Sequence, residues 1–98
     1  MEFLVSMELT TVIDDKKEAD LREQERLRSR ELSEEGILLR LWRVPGRRAN
    51  WGIWNARNCD ELHEAIASLP LFNYMTITVH PLATHPNDPM ALSSEAYK

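Results

Sequence analysis

A chain of 98 residues with a formal net charge of −4, 43% hydrophobic and 29% charged, describes one small globular domain with a modest core. Its acidity excludes the basic field on which nucleic-acid binders depend, and a single cysteine excludes an internal disulfide framework and fits a reducing, cytoplasmic setting. The opening MEFLVSMELTTV has an acid at position 2 and no basic segment, unlike a signal peptide, and no stretch approaches the roughly 20 apolar residues of a membrane helix.

Along FLVSMELTT (3–11), Phe3, Val5, Met7 and Leu9 alternate with the period of a half-buried strand. The charged run DDKKEADLREQERLRSRELSEEG predicts a long helix. Asp15 and Glu18 have the spacing of a capping box, and Gly36 supplies a left-handed stop. ILLRLWRV (37–44) and ANWGIWNA (49–56) read as two strands joined by a hairpin at Pro45-Gly46-Arg47-Arg48. A second helix starts near Asn58, with Asn58 as cap and Glu61 at the third helical position. Leu62, Ala65, Ile66 and Leu69 form its apolar stripe, and Pro70 ends it. YMTITVHPL is a fourth strand with Met75, Ile77 and Val79 on one face; the remainder, ATHPNDPMALSSEAYK, has turn signals and no period. The expectation is one domain over 1–88 and an irregular tail over 89–98.

The order βαββαβ is that of the α+β ferredoxin-like fold, an antiparallel sheet with two helices on one face. Leu4, Leu38, Trp42 and Trp54 fall out of register with part of the core set, which puts apolar side chains on the uncovered face as well. In so short a chain that face calls for a second subunit.

The first helix aims charge inward. On a wheel of about 100° per residue with Leu21 at zero, Leu32, Glu25 and Arg28 all fall within about 40° of it, and Leu27 lies about 120° away. A carboxylate directed at a core is either a structural partner for Arg28 or a poised acid–base group whose pKa desolvation raises. His63, His80 and His85 have no metal-ligand spacing with Cys59, and no metal site is expected. Cys59 sits at a helix start without a candidate base in sequence.

LREQERLRSRELSEEG, LWRVPGRRANWGIW, ELHEAIASLPLFNYM and His85-Pro86 together resemble the muconolactone isomerase family, which includes chloromuconolactone dehalogenases. The resemblance spans roughly residues 1–88. It implies a cofactor-free isomerase on a ferredoxin-like scaffold of the dimeric α+β barrel type, assembled into a homodecamer built from dimers, with active sites in clefts between subunits. The implied reaction is a 1,3-proton shift that converts a muconolactone-like butenolide to an enol-lactone in aromatic-compound catabolism. Glu25 takes the place of the family's acidic catalytic residue, and Arg22 stands where a lysine is expected. The Lys-to-Arg change keeps the charge and removes a proton donor. Arg47 and Arg48 replace a basic or imidazole residue followed by an aromatic. With Asn50 they are expected to bind substrate, Trp42, Trp51 or Trp54 forming an apolar wall. Phe72 and Tyr74 are expected to divide between core and cleft, and Arg28, in a helix position where an apolar residue is expected, is counted with the substrate-binding residues. Three other readings stay open: a dehalogenase acting on a chlorinated lactone, a non-catalytic oligomeric binding protein, and a quinol monooxygenase-like enzyme using Asn50.

Overall fold

The structure, a computed structural model, describes residues 1–90. Four strands and two helices follow one another as β1 (Glu2–Leu9), α1 (Asp15–Glu34), β2 (Leu38–Arg43), β3 (Ala49–Asn55), α2 (Cys59–Ala67) and β4 (Met75–Leu82). All neighbouring strands run antiparallel in the order β2-β3-β1-β4, the ferredoxin-like arrangement expected from the element order.

Register decides which residues meet the helices. Phe3, Val5 and Met7 pair with Trp54, Gly52 and Asn50 on one side and with Pro81, Val79 and Ile77 on the other. That face carries the core, in which Phe3, Val5, Leu32 and Trp54 are the fully buried side chains and Leu38, Leu62, Ile66 and Leu69 pack around them. Each large side chain so buried contributes roughly 1.5–3 kcal/mol.

Two expectations are corrected here. Leu38 and Trp54 do not lie on the uncovered face; both are buried in the helix-side core. Trp54 of β3 stands opposite the buried Phe3 of β1, and so on the other face from Trp51. For Leu38 the cause is a bulge in β2, where Leu38 pairs with Trp54 and the next pair is Arg40 with Ile53. Leu39 is the extra residue, so strict alternation is broken and Leu38 and Trp42 point to opposite sides. Trp42 and its cross-strand partner Trp51 do stand on the open face, with the Arg40 guanidinium 4.7 Å from the Trp42 ring centroid.

Helix α1 begins at Asp15 with Asp14 as its cap residue, and no side chain caps it, so the capping box expected of Asp15 and Glu18 does not form. Asp15 already lies inside the helix, and Glu18 is drawn to Arg22 and Arg48 instead. Gly36 adopts φ 78° and closes the helix as expected. Helix α2 is capped as the sequence indicates: Asn58 Oδ1 accepts from the Glu61 N–H at 2.9 Å, and Glu61 reaches back to the Arg57 N–H at 3.0 Å. The chain leaves β1 two residues earlier than expected because the Thr10 and Thr11 N–H groups turn to the Tyr74 carbonyl at 3.1 and 3.4 Å. After β4, residues 83–90 carry turns held at His85, whose carbonyl accepts from the Asp88 N–H at 3.0 Å and whose Nδ1 accepts from the Asn87 N–H at 2.9 Å. The irregular tail read from the sequence continues into residues 91–98, which lie outside the described residues.

Gly52 is where packing leaves no room for a side chain. A methyl group there would meet the Arg40 carbonyl and Trp54 Nε1 at 3.0 Å and Leu41 at 3.1 Å. The indole of Trp54 therefore lies over a glycine by necessity. Gly52→Ala is expected to destabilise the protein by about 1–3 kcal/mol, read as a lowered urea midpoint; an unchanged midpoint would show that Trp54 can move aside.

Candidate active site

Between α1 and the sheet the apolar packing stops, because the inward position of the helix there is Glu25, with Arg22 beside it at the rim. What remains is a cavity of about 270 Å³ lined by Met7 and Leu9 of β1, Leu41 and Arg43 of β2, Asn50 of β3, and Arg22, Glu25, Arg48, Leu71 and Met75. A larger recess of about 620 Å³ between α2 and β4 is lined chiefly by apolar residues and offers only Cys59 and His63 as reactive side chains. Charge concentrates in the first. Among the described residues no three His, Cys, Asp or Glu side chains are grouped to hold a metal ion.

Glu25 is half-buried and held at a fixed point. The chain leaving α2 turns at Pro70, and the Leu71 N–H that follows finds its acceptor in Glu25 Oε1 at 3.0 Å. Partial burial pushes the carboxyl above its ordinary range, opposed by the Leu71 hydrogen bond and by the Arg22 charge. A carboxylate of raised pKa beside a cation, facing a void, is equipped to take a proton and give it back. One Oε1 lone pair is used by Leu71; among the described residues Oε2 has no hydrogen-bond partner.

Arg22 and Arg48 stand at the rim, joined by one carboxylate. Glu18 accepts from Arg22 Nε at 3.3 Å and from Arg48 Nη2, and the Arg48 hydrogen bond is the leading cause that holds its pKa below the usual value. Arg22 is engaged through Nε alone, so its terminal nitrogens remain available. Asn50 is also on the cavity, with its buried Oδ1 lacking a partner.

The structure separates other residues from this group. Arg28 does not reach Glu25: it donates to Ser68 Oγ at 2.8 Å and pairs with Glu31 at 3.5 Å, bracing α1 against the end of α2. Arg47 pairs with Glu8 on the opposite face of the sheet. Trp54 is 2% exposed and packs the core. Trp42 borders the cavity from the edge strand while its ring faces the open side beside Arg40. Phe72 packs against the core and meets His63 edge-on at 6.1 Å, and Tyr74 lies under Lys17, whose Nζ is 5.5 Å from its ring centroid. Of the expected division between core and cleft, Phe72 takes the core place, but Tyr74 does not line the cavity within one chain; a short 3₁₀ turn spans Phe72–Tyr74, and Leu71 and Met75 on either side line the cavity instead. Leu41, Arg43, Leu71 and Met75 are cavity residues that the sequence does not mark as part of a site. Arg40 and Arg43 fall on opposite faces of β2, and the bulge settles which one turns inward.

The family described as muconolactone delta-isomerase matches residues 1–88. The chain belongs to the muconolactone isomerase family. It is 43% identical over 68 residues to the muconolactone Delta-isomerase of Cupriavidus pinatubonensis, covering 69% of this chain and 74% of that one. It is 34% identical over 89 residues to the muconolactone Delta-isomerase of Pseudomonas aeruginosa, covering 89% and 93% of the two chains. A crystal structure of muconolactone isomerase superposes with a TM-score of 0.84 at 33% identity, over 91% of this chain and 95% of that one. In this member of the muconolactone isomerase family the helix α1 carboxylate and the cations around it are therefore set on a shared backbone.

The raised pKa of Glu25 has a sign that can be tested. A carboxyl that binds its proton more tightly in the folded state adds stability at low pH, and that addition is lost as pH rises through the folded-state pKa. Glu25→Gln keeps an acceptor for the Leu71 N–H and cannot ionise. The variant is expected to gain stability relative to the parent as pH rises from 4 to 7, by denaturant titration at each pH. A difference that shrinks over this range would mean that Glu25 is better solvated than its position indicates.

Proposed function

We propose that this protein is an isomerase that moves the ring double bond of a muconolactone-like butenolide by a 1,3-proton shift, without a cofactor, in cytoplasmic aromatic-compound catabolism. The observation that carries the proposal is the Glu25 carboxylate, partly desolvated and fixed by Leu71 against a cavity whose other charged groups are Arg22, Arg43 and Arg48. Membership of the muconolactone isomerase family supports the choice of substrate.

The chemistry follows from the substrate. The hydrogen on the ring carbon that bears the carboxymethyl arm is conjugated through the alkene to the lactone carbonyl. Removing it leaves a furanolate-like anion whose charge spreads to the carbonyl oxygen. Glu25 takes that proton and returns it to the ring carbon next to the carbonyl, which leaves the double bond one position along and regenerates the carboxylate. No atom is gained or lost. Arg22, with its terminal nitrogens unengaged, supplies positive charge for the developing oxyanion. Being a guanidinium, it stays protonated throughout and does not itself deliver the proton.

Glu25→Gln is expected to keep its fold and lose at least about 100-fold in kcat, followed as the ultraviolet change on adding muconolactone. The acid limb of the parent's kcat/KM profile is expected above the ordinary carboxylate range, because only the ionised base acts. A variant with near-parental turnover would remove Glu25 from the mechanism. Repeating the assay with a chlorinated lactone and measuring chloride separates isomerase from dehalogenase.

The open sheet face supports assembly. Trp42 is 45%, Trp51 54% and Leu82 41% exposed in the single chain. Covering them by a second copy would extend a small core, and a decamer built from such dimers is the assembly proposed. Sedimentation is expected to give a mass well above the 11.4 kDa of one chain, and Trp51→Lys a smaller species. A monomeric parent at micromolar concentration would refute the assembly.

A further inference from the structure

A lactone that carries a carboxymethyl arm presents two anionic centres during reaction, the carboxylate throughout and the enolate oxygen in the transition state. They sit on ring carbons on either side of the ring oxygen. One guanidinium cannot hold both without giving up the two-pronged geometry that makes it a strong carboxylate ligand. The cavity has three arginines, and their existing partners divide them.

Arg48 is bound to Glu18, and the same carboxylate holds Arg22 through Nε. Arg47, on the other side of the sheet, is bound to Glu8. For Arg48 to grip a ligand it would have to leave a protein carboxylate that gives it an equivalent interaction, so the exchange yields little. Arg43 differs. It is the last residue of β2, it lines the cavity, and among the described residues its guanidinium has no hydrogen bond, ion pair or ring contact. Its strand register pairs it with Asn50, the residue whose buried amide oxygen also lacks a partner. A free guanidinium and an amide oxygen that lacks a donor are thus neighbours across two strands, on the face that carries Met7 and the Glu25 cavity, and that oxygen can accept only from an N–H such as Arg43 supplies.

We infer that Arg43 is the specificity-determining residue that binds the carboxylate arm of the substrate, with the Asn50 amide oxygen beside it as an acceptor for the same guanidinium rather than a ligand of the carboxylate. Glu18 acts on the outcome indirectly: it occupies Arg48 and the Nε of Arg22, so that of the three cavity arginines Arg43 is the one whose whole guanidinium is unengaged. This inference rests on the lactone reading of the site, and places the carboxylate on the β2 side of the cavity and the reacting ring carbons toward Glu25.

The test uses a ligand that cannot react, the saturated lactone acid 5-oxotetrahydrofuran-2-acetate, with binding to the full chain measured by calorimetry. Arg43→Met is expected to weaken binding by roughly 10- to 100-fold, the range of a lost charge-assisted hydrogen-bonding pair. Arg43→Lys should recover part of that loss, and Arg47→Met, on the opposite face of the sheet, should stay within about threefold of the parent. The methyl ester of the ligand should bind the parent about as weakly as the acid binds Arg43→Met, and should be insensitive to that substitution. Circular dichroism of each variant confirms that it is folded, and the lysine variant carries the test if the methionine variant is not. Equal affinity of parent, Arg43→Met and Arg43→Lys for the acid, a larger loss in Arg48→Met, or no binding to the parent would each overturn the assignment. Binding that follows the expected order in a protein that fails to isomerise muconolactone would leave Arg43 in place and remove the isomerase reading. Turnover with an indifferent Arg43 would do the reverse.

Discussion

The hydrogen bond from the Leu71 N–H to Glu25 is the constraint around which the rest of the site is arranged. Helix α1 runs for 20 residues, yet Leu32 alone among them is buried. A helix so poor in apolar contact docks by other means. Glu25 ties its middle to the chain after α2, Arg28 ties the next turn to Ser68, and Glu18 ties its start to Arg48 of the β2–β3 hairpin. The helix is fastened at three levels by polar side chains, and the void under its middle follows from this. A leucine at 25 would have filled the space and removed the carboxylate.

The same polar economy governs the arginines. Exposed ion pairs contribute little to stability, typically about 0–1 kcal/mol. Their effect here is on availability. Glu8, Glu18, Glu23, Glu31 and Glu61 each engage an arginine, which leaves the acidic chain with few guanidiniums free to meet a ligand. Selectivity for an anion in a protein of net charge −4 cannot come from its overall field. It has to come from a local group that the protein's own carboxylates have not claimed.

How much of this was legible in the sequence depends on the range of the interaction. Local signals read correctly: the element order, the Asn58 cap, the Gly36 stop and the inward direction of Glu25, all of which follow from periodicity or from contacts within one turn. The faces of β2 did not, because the single extra residue at Leu39 reverses everything beyond it, and nothing in LLRLWR marks the slip. That one bulge misplaced Leu38 and concealed Arg43. Partners of long charged side chains were beyond reach for another reason. Arg28 stands three residues from both Glu25 and Glu31, and Ser68, which takes its Nε, is 40 residues away in the chain. Glu18 likewise forsakes a capping role for an arginine 30 residues distant.

The hairpin between Trp42 and Trp51 gathers arginines and aromatics because one ribbon serves two environments. Alternation sends Trp42 and Trp51 to the open face, where an apolar ring can be covered by another copy, and sends Arg43 and Asn50 to the helix side, where the cavity lies. At the tip, Arg47 turns outward to Glu8 and Arg48 inward to Glu18, so neighbouring residues of the same type are assigned to opposite faces. A partner resting on the tryptophans would touch the backs of the strands whose fronts carry Arg43 and Asn50. Assembly would then stiffen the platform of the anion subsite without entering it, and the edge strand β2, otherwise held along one side only, would gain support where a substrate carboxylate pulls on it.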